Sequence, residues 1–376
     1  MRILVVIHEY PPIGGGGGAA ARDICRGLAR RGHDVKILTA HYKELPRRER
    51  DEGVDVIRLP SLRRQPFRAG FLEMGGFVLA SLWAGLRLTR VFRPDAIHAH
   101  FAVPSGAAAW ALARLTRTPY LLTAHLGDVP GGVPDKTDRW FRWVMPFTRP
   151  IWREAARVAA VSGYTRGLAL AHYPVPIDVI PNGVDVKSLA PRALNVNDPP
   201  RLVFAGRFVE QKNPLQIPRV LAALKDLRWE CSMLGDGALL EATRAETERL
   251  GLADRFRFPG WVETGDVLDE FARSDILFMP SRSEGLPVVG VQALACGLAL
   301  VVGRAGGFAD LAAPGENGFL HDADDAEGFS ASLRSLLSDP VAILSARQKS
   351  LAFAQSFDIE HVIDEYEKVL LAIIDS

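Results

Sequence analysis

Arg207, Lys212 and Glu284 are the side chains whose types and spacing most plainly serve chemistry in this sequence. The first two follow LVFAG, a short apolar run that reads as a buried strand, in the segment FAGRFVEQKNP. Two cations in one strand-end loop are aimed at one place, and Gly206 at its start lets a ligand approach the backbone. Further along, SRSEGLPVVGVQALACG sets Glu284 and Gly285 just before a helix starting near Val288. The N-terminal amides and dipole of such a helix favour an anion. Two positive side chains, a helix N-terminus and an acid at its mouth suit the diphosphate of a nucleotide that carries a sugar. They suit a hydride-transfer cofactor less well.

A second glycine-rich element, Gly14–Gly18, lies between the first apolar run and a helix beginning near Ala19, so its amides can meet a phosphate with no Cβ in the way. For a dinucleotide, an acid should end the second strand and hold the ribose. DVKILTAHY ends in Thr39, Ala40 and His41 instead, with Asp34 ahead of the strand, so the nicotinamide reading loses its key residue. The glycines, Gly15 and Gly16 among them, read either as a flexible structural turn or as a loop facing a bound diphosphate. TAHLGD ends another strand with His125 and Asp128 at its carboxyl edge, where doubly wound sheets place ligands, and this predicts a site role for His125. His98 and His100 alternate along AIHAHF, share one face of a strand, and read as structural or acceptor-lining. Asp322–Asp324 falls in a polar turn and is not expected to bind metal.

These residues need strand ends to hold them, and the chain supplies two sets. RILVVI, DVKILT, VDVIRL, AIHAHF, YLLTAH, RVAAVS and DVIPN alternate with amphipathic stretches in the first half; RLVFAG, WECSMLG, RFRFPG, ILFMPS and LALVVG do so in the second. Continuous apolar runs suit strands covered on both faces, hence two parallel, doubly wound α/β domains. Helices are expected at 215–225, 239–250, 267–272 and 288–296. The boundary is placed in SLAPRALNVNDPP: an N-terminal domain over 1–187, a linker over 188–200, and a C-terminal domain over 201–357. A last amphipathic helix over about 358–376 carries Val362, Tyr366, Val369 and Ile373 at helical spacing.

At 376 residues, 48% hydrophobic and 24% charged, the composition is that of a soluble globular protein. Cys25, Cys231 and Cys296 are odd in number and far apart, which indicates neither a disulfide framework nor a zinc site and fits a reducing cytoplasm. MRILVVI reads as a first buried strand and not as a signal peptide. The net charge of +1 hides an asymmetry: the chain through Asp185 carries +10 and the remainder −9. Arg47, Arg48, Arg50, Arg58, Arg63, Arg64 and Arg68 crowd one segment, interleaved with Leu62, Phe67, Phe71 and Leu72. That segment reads either as a surface that rests peripherally on an anionic membrane or as a solvated face beside an acceptor cleft. The apolar run from Gly75 to Leu86 is short against the roughly 20 residues needed to span a bilayer, so it reads as a helix that does not cross. No nucleic-acid partner is expected.

Taken in order, PPIGGG, TAHLGD, VIPNGVD (Val179–Asp185), FAGRFVEQKN, GDG (Gly235–Gly237), FPGWV (Phe258–Val262) and SEGLPVVGVQALACG resemble the family-4 retaining glycosyltransferases of GT-B architecture, over nearly the whole chain. The resemblance implies two Rossmann-like domains with a cleft between them and a C-terminal helix that crosses back to the first. It implies that Arg207 and Lys212 grip the donor diphosphate and that Glu284, first acid of the family's E-x7-E motif, stands near the transferred sugar. Gly16 or a neighbour matches the glycine that approaches the phosphates, and His125 a histidine beside the sugar ring. Leu286, Pro287 and Val288 match positions where backbone amides meet phosphates and sugar hydroxyls; Gly260 and Trp261 match the lining of the nucleobase. The motif's second acid, which in the family accepts from the ribose hydroxyls, is Gln292 here. Hydrogen bonds to charged acceptors contribute about 1.5–3 kcal/mol against about 0.5–1.5 for neutral ones, so the exchange costs about 1 kcal/mol of donor binding. Leu298 and Ala299 stand where the family usually has a proline.

The expected activity is transfer of a hexosyl unit from a UDP- or GDP-sugar to a glycan or lipid-linked acceptor, with retention, which the resemblance alone supplies. No cofactor or metal is expected, because Arg207 and Lys212 supply the positive charge. The rival readings are a non-catalytic sugar-nucleotide binder, encouraged by Gln292, and a nicotinamide-dependent dehydrogenase resting on the glycine loop.

Overall fold

The computed structural model describes residues 1–66 and 69–375; Phe67 and Arg68 of the basic segment lie outside the described residues. The chain divides into two compact units, Met1–Gly183 with Ile359–Ser376, and Val184–Asp358.

The first unit is built from β1 (Arg2–Val6), α1 (Gly16–Arg30), β2 (Asp34–Ala40), β3 (Arg48–Asp51), β4 (Val54–Leu59), α2 (Phe71–Phe92), β5 (Ala96–His100), α3 (Ala107–Thr116), β6 (Tyr120–Ala124), α4 (Pro134–Arg153), β7 (Arg157–Ala160), α5 (Gly163–Leu170) and β8 (Asp178–Val179). The strands form one sheet in the order β3-β4-β2-β1-β5-β6-β7-β8, and among the described residues only β3 with β4 is antiparallel. β1 sits between β2 and β5, with Val5 opposite both Ile37 and His98. Ile3, Leu4, Val5 and Val6 are all fully buried, as a strand covered on both faces must be. One face packs Phe77, Phe92, Leu112 and Trp152 over Leu4 and Val6. The other packs Ile24, Cys25 and Leu28 over Ile3 and Val5.

The second unit comprises α6 (Val186–Leu189), β9 (Arg201–Ala205), α7 (Gln216–Ala222), β10 (Glu230–Leu234), α8 (Leu240–Arg249), β11 (Phe256–Gly260), α9 (Thr264–Ala272), β12 (Ile276–Met279), α10 (Val288–Ala295), β13 (Ala299–Gly303), β14 (Gly318–His321), α11 (Ala326–Leu337) and α12 (Pro340–Ala354). Its sheet runs β11-β10-β9-β12-β13-β14, parallel throughout. The last helix, α13 (Ile359–Ile374), belongs to the first unit. Val362, Ile363 and Tyr366 complete the core over Ile24. Arg31, at the C-cap of α1, is paired with Glu360, Asp364 and Glu367. α1 and α13 touch at Gly27, where a Cβ would lie 2.0 Å from Ile363 Cδ1. This is the helix that returns to the first unit, with both its apolar stripe and its acids matched.

Two expectations need correction. Residues 188–200 are no linker but part of the second unit, because Asp275 reaches them from the start of β12. Its carboxylate accepts from the Asn197 and Arg201 amides and the Asn197 side chain, and Arg347 pairs with it at 2.5 Å while donating to the Asn195 carbonyl. The helix expected over Gly75–Leu86 is α2, and it runs for 22 residues. Gly75 and Gly76 do not start it; Glu73 caps it from within, accepting from the Gly70 amide.

Candidate active site

In the second unit the strand order changes direction between β9 and β12. At such a point successive crossovers leave on opposite faces, and a crevice opens at the carboxyl ends of the strands. Lys212 is carried by the loop after β9, at the end of a short turn Glu210–Lys212 closed by Asn213 in a left-handed conformation (φ 50°). Glu284 is carried by the loop after β12. Their side chains meet, Lys212 Nζ to Glu284 Oε1 at 2.5 Å, with exposures of only 13% and 6%. One backbone and one side-chain hydrogen bond hold the two loops in register: Arg282 N donates to Gln211 O at 2.8 Å, and Gln211 Nε2 donates to Ser283 O at 2.8 Å.

A third loop joins them. Asn213 Nδ2 donates to Ala323 O at 2.8 Å, and Arg282 clasps Asp324 through both Nη atoms at 2.5 and 2.6 Å. The hydrogen bond from Arg282 holds the Asp324 carboxyl below its usual range. Asp324 is in a polar turn, as read, but that turn follows β14, which sequence reasoning did not resolve. Neither Arg282 nor Asp324 was singled out as part of the site, since only the fold shows that the loop after β14 abuts Asn213.

The remaining positions are distributed around this pair. Arg207 is exposed and makes no ion pair among the described residues, so the structure does not join it to Glu284. The space above Gly206 is open enough for a Cβ, with the nearest atoms at 3.6 to 3.8 Å. The strict demand for glycine falls one rank behind: a Cβ on Gly235 (φ +126°) would lie 1.9 Å from the Gly206 carbonyl oxygen, and one on Gly307 1.9 Å from that of Gly285. Gly307 also donates its amide to the Glu284 carbonyl at 3.0 Å. Gly307 was missed in the sequence, where RAGGFAD gives no sign of the loop it backs.

α10 begins at Val288 behind Pro287, which takes the N-cap position with no side-chain cap. The amides of Val288 and Val289 therefore have no acceptor within the helix. Pro287 has no N–H, so the expectation of an amide contact at that position is corrected: it fixes the backbone ahead of the helix. Leu286 is buried. Gln292 is half-buried on α10, four residues after Val288 and so on the same face. Gly260 (φ +80°) ends β11 and accepts from the Gly235 amide at 2.8 Å, while the Trp261 ring beyond it is 62% exposed.

The first unit has its own switch point, between β1 and β5. The pentaglycine is not a free turn there. α1 starts at Gly16 and not near Ala19, with Gly15 as an N-cap that has no side chain, so the Gly16 and Gly17 amides lack acceptors within the helix. Gly15 and Gly16 are exposed. His125 stacks on Phe101 with centroids 4.2 Å apart. A Cβ on Gly17 would come 2.8 Å from Phe101 Cζ and 3.1 Å from His125 Nδ1, so the glycine lets the helix start lie against both rings. His125 N donates to Asp128 Oδ1 at 2.9 Å, and Asp128 Oδ2 accepts from Ala102 N at 2.5 Å. Burial lowers the His125 pKa to about 3. The imidazole is therefore neutral and can exchange hydrogen bonds without carrying charge.

His98 and His100 are fully buried core residues that line no surface. His98 Nε2 bonds Thr123 Oγ1 at 2.8 Å; His100 Nδ1 lies 3.4 Å from His125 Nε2. The basic segment is only partly a surface. Arg58 and Arg63 have side chains 0% and 1% exposed, because the loop after β1 supplies them with acceptors. Arg58 donates to the Tyr10 and Pro11 carbonyls and to Glu49; Arg63 donates to the His8, Gln65 and Pro66 carbonyls and to Glu9. Arg47, Arg48, Arg50 and Arg64 remain exposed. Among the described residues no group of three or more His, Cys, Asp or Glu side chains is placed to hold a metal ion.

Two such doubly wound sheets, each with a switch point, have the architecture of the GT-B fold. Residues 14–188 match the family model described as Glycosyltransferase Family 4, and residues 187–354 match Glycosyl transferases group 1. The chain belongs to this glycosyltransferase family. It is 29% identical over 335 residues to a 2-deoxystreptamine N-acetyl-D-glucosaminyltransferase of Streptomyces fradiae, covering 80% of this chain and 77% of that one. In fold it is similar to a sucrose-phosphate synthase from Thermosynechococcus elongatus (TM-score 0.85, 21% identity, 98% of both chains). It is similar also to Anabaena HepE in complex with UDP and glucose (TM-score 0.77, 19% identity, 99% of this chain and 100% of that one).

Proposed function

We propose that this protein moves a hexosyl unit from a UDP- or GDP-sugar to a glycan or lipid-linked acceptor with retention at the anomeric carbon, in cell-surface polysaccharide or glycolipid synthesis. The observation that carries the reading is the Lys212–Glu284 pair at the β9/β12 switch point, beside the open start of α10. A diphosphate there receives Lys212, the exposed Arg207 and the Val288 and Val289 amides as donors. As the bond from the anomeric carbon to the diphosphate oxygen breaks, negative charge grows on the leaving group, where these donors are worth most. The acceptor hydroxyl attacks from the same face as the leaving diphosphate, which takes its proton, while the sugar passes through an oxocarbenium-like state. Glu284 stands by the sugar and holds Lys212 in place. The two cations do the work a metal ion would do, and turnover is expected to survive EDTA. The protein acts in the cytoplasm, in peripheral contact with an anionic membrane.

The test is thermal stabilisation against a panel of UDP- and GDP-sugars, since a donor that binds only the folded state raises stability with its concentration relative to its Kd. A selective shift abolished in Arg207→Ala, together with release of free nucleoside diphosphate on addition of acceptor, supports transfer. Gln292 favours a second reading, a non-catalytic sugar-nucleotide binder, which would shift with nucleotide but never release it from the sugar. No shift with any sugar nucleotide sinks both.

A further inference from the structure

α2 carries two opposed stripes with different fates. Phe77, Ser81, Gly85, Thr89 and Phe92 recur at helical spacing and are buried. Gly85 is seated so closely that a Cβ would lie 2.6 Å from Leu112 Cδ1 of α3. The opposite stripe of a helix packed on a sheet is ordinarily polar. In α2 it holds Leu72, Leu79 and Trp83, exposed by 81%, 71% and 59%. The stripe then turns basic: the Arg87 guanidinium lies over the Trp83 ring at 3.5 Å, and Arg90 follows within the next turn. Glu73 is the only acid in the helix, and its oxygens accept from the Arg64 and Gly70 amides. The outward stripe thus presents apolar side chains and cations with no acid among them. The chain leading into the helix continues the pattern, with Leu62 72% exposed and Arg64 exposed beside it.

By length and composition α2 could cross a bilayer: its 18-residue window has a mean hydropathy of 1.3 and is only 17% buried. Its inward stripe is committed to the core of the first unit, however, so crossing would strip Phe77 and Phe92 from their packing. Lying flat uses the outward stripe and leaves the inward one in place. We propose that α2 rests in the interface of an anionic bilayer, with Leu72, Leu79 and Trp83 at the acyl boundary and Arg87 and Arg90 reaching the lipid phosphates. The inference deepens the membrane contact in the reading above and is independent of the transfer chemistry.

Sedimentation of the full chain with vesicles of phosphatidylcholine, with and without phosphatidylglycerol, tests it. The wild-type protein is expected to bind the anionic vesicles and to lose binding as salt rises. Leu79→Glu with Trp83→Glu should lower partitioning on the order of 10-fold or more, with stabilisation by sugar nucleotide unchanged as proof of folding. Equal binding by this variant overturns the proposal. So does loss of binding in Arg47→Glu, Arg48→Glu, Arg50→Glu alone, which would place the contact on the basic segment instead. Absence of vesicle binding together with a dimer in solution that the variant dissociates would assign the stripe to a second copy of the chain and also overturn it.

Discussion

Lys212 Nζ and Glu284 Oε1 are 2.5 Å apart although 72 residues separate them in the chain. The pair holds a cation in place at the crevice, so that under the proposed function the ammonium is oriented before the diphosphate of a donor arrives. Lys212→Met and Glu284→Gln are each expected to lower kcat/KM about 100-fold or more, the loss typical of one charge-stabilising donor. Because the two side chains act on each other, the double variant should lose much less than the two single losses combined. Steady-state assay of nucleoside diphosphate release from the four proteins checks this; fully additive losses would mean the pair is not a unit.

The Arg282–Asp324 clasp predicts a different signature. Its side chains are 40% and 69% exposed, so as a surface ion pair it contributes little to stability, on the order of 0–1 kcal/mol. Its effect is on position, since Arg282 also bonds the loop that carries Lys212. Asp324→Asn should leave the melting temperature nearly unchanged while raising KM for the donor several-fold more than it lowers kcat. A fall in stability with unchanged KM would make the clasp purely structural.

The sheets were legible because most central strands are largely apolar runs, and loops at strand ends are where cations such as Lys212 stand out. Two of the four edge strands were not. RERD in β3 and GFLH in β14 are four residues each and lack a sustained apolar run, so charge and turn residues outweighed the strand signal. Arg58 and Arg63 misled for a related reason: sequence displays the charge of a guanidinium but not the carbonyls of the loop after β1 that satisfy it. Likewise SLAPRALNVNDPP has a linker's composition, yet Asp275 and Arg347 bond its backbone. Gly235 and Gly307 show the limit most clearly, since the atom that requires each to be glycine belongs to the loop after the preceding strand in the chain, more than 20 residues away.

Acid should loosen the first unit. Burial lowers His98 and His125 to about 3 and His8 to about 4, and pushes His100 well below its ordinary value. The unfolded chain takes up protons on these groups near pH 6.5 while the folded chain does not. Each therefore contributes stability in full above about pH 6.5, lost at about 1.4 kcal/mol per pH unit as pH falls toward the folded value. Asp128 opposes them: burial raises it to about 7, so its contribution grows as pH falls from there toward the unfolded value near 4. The histidines prevail, and chemical denaturation should show lower stability at pH 5 than at pH 7. His98→Gln should flatten that slope and Asp128→Asn should steepen it. Parallel slopes in all three proteins would show that these groups do not titrate as described.

Gln292 offers the cleanest test of how the nucleotide is held. It lies on α10 on the same face as Val288, one turn from the open amides, where a carboxylate would accept from ribose hydroxyls with its full charge. Gln292→Glu exchanges a neutral acceptor for a charged one and is expected to tighten donor binding by about 1 kcal/mol, or roughly tenfold or less. The helix N-terminus lies within reach and favours the added charge, whereas the donor's own diphosphate opposes it, so the gain should be larger for a free nucleoside than for the sugar nucleotide. Titration of the variant with both ligands reads the two effects separately. Weaker binding of the nucleoside to Gln292→Glu would mean that position 292 does not face the ribose, and that the hydroxyls are met elsewhere in the crevice.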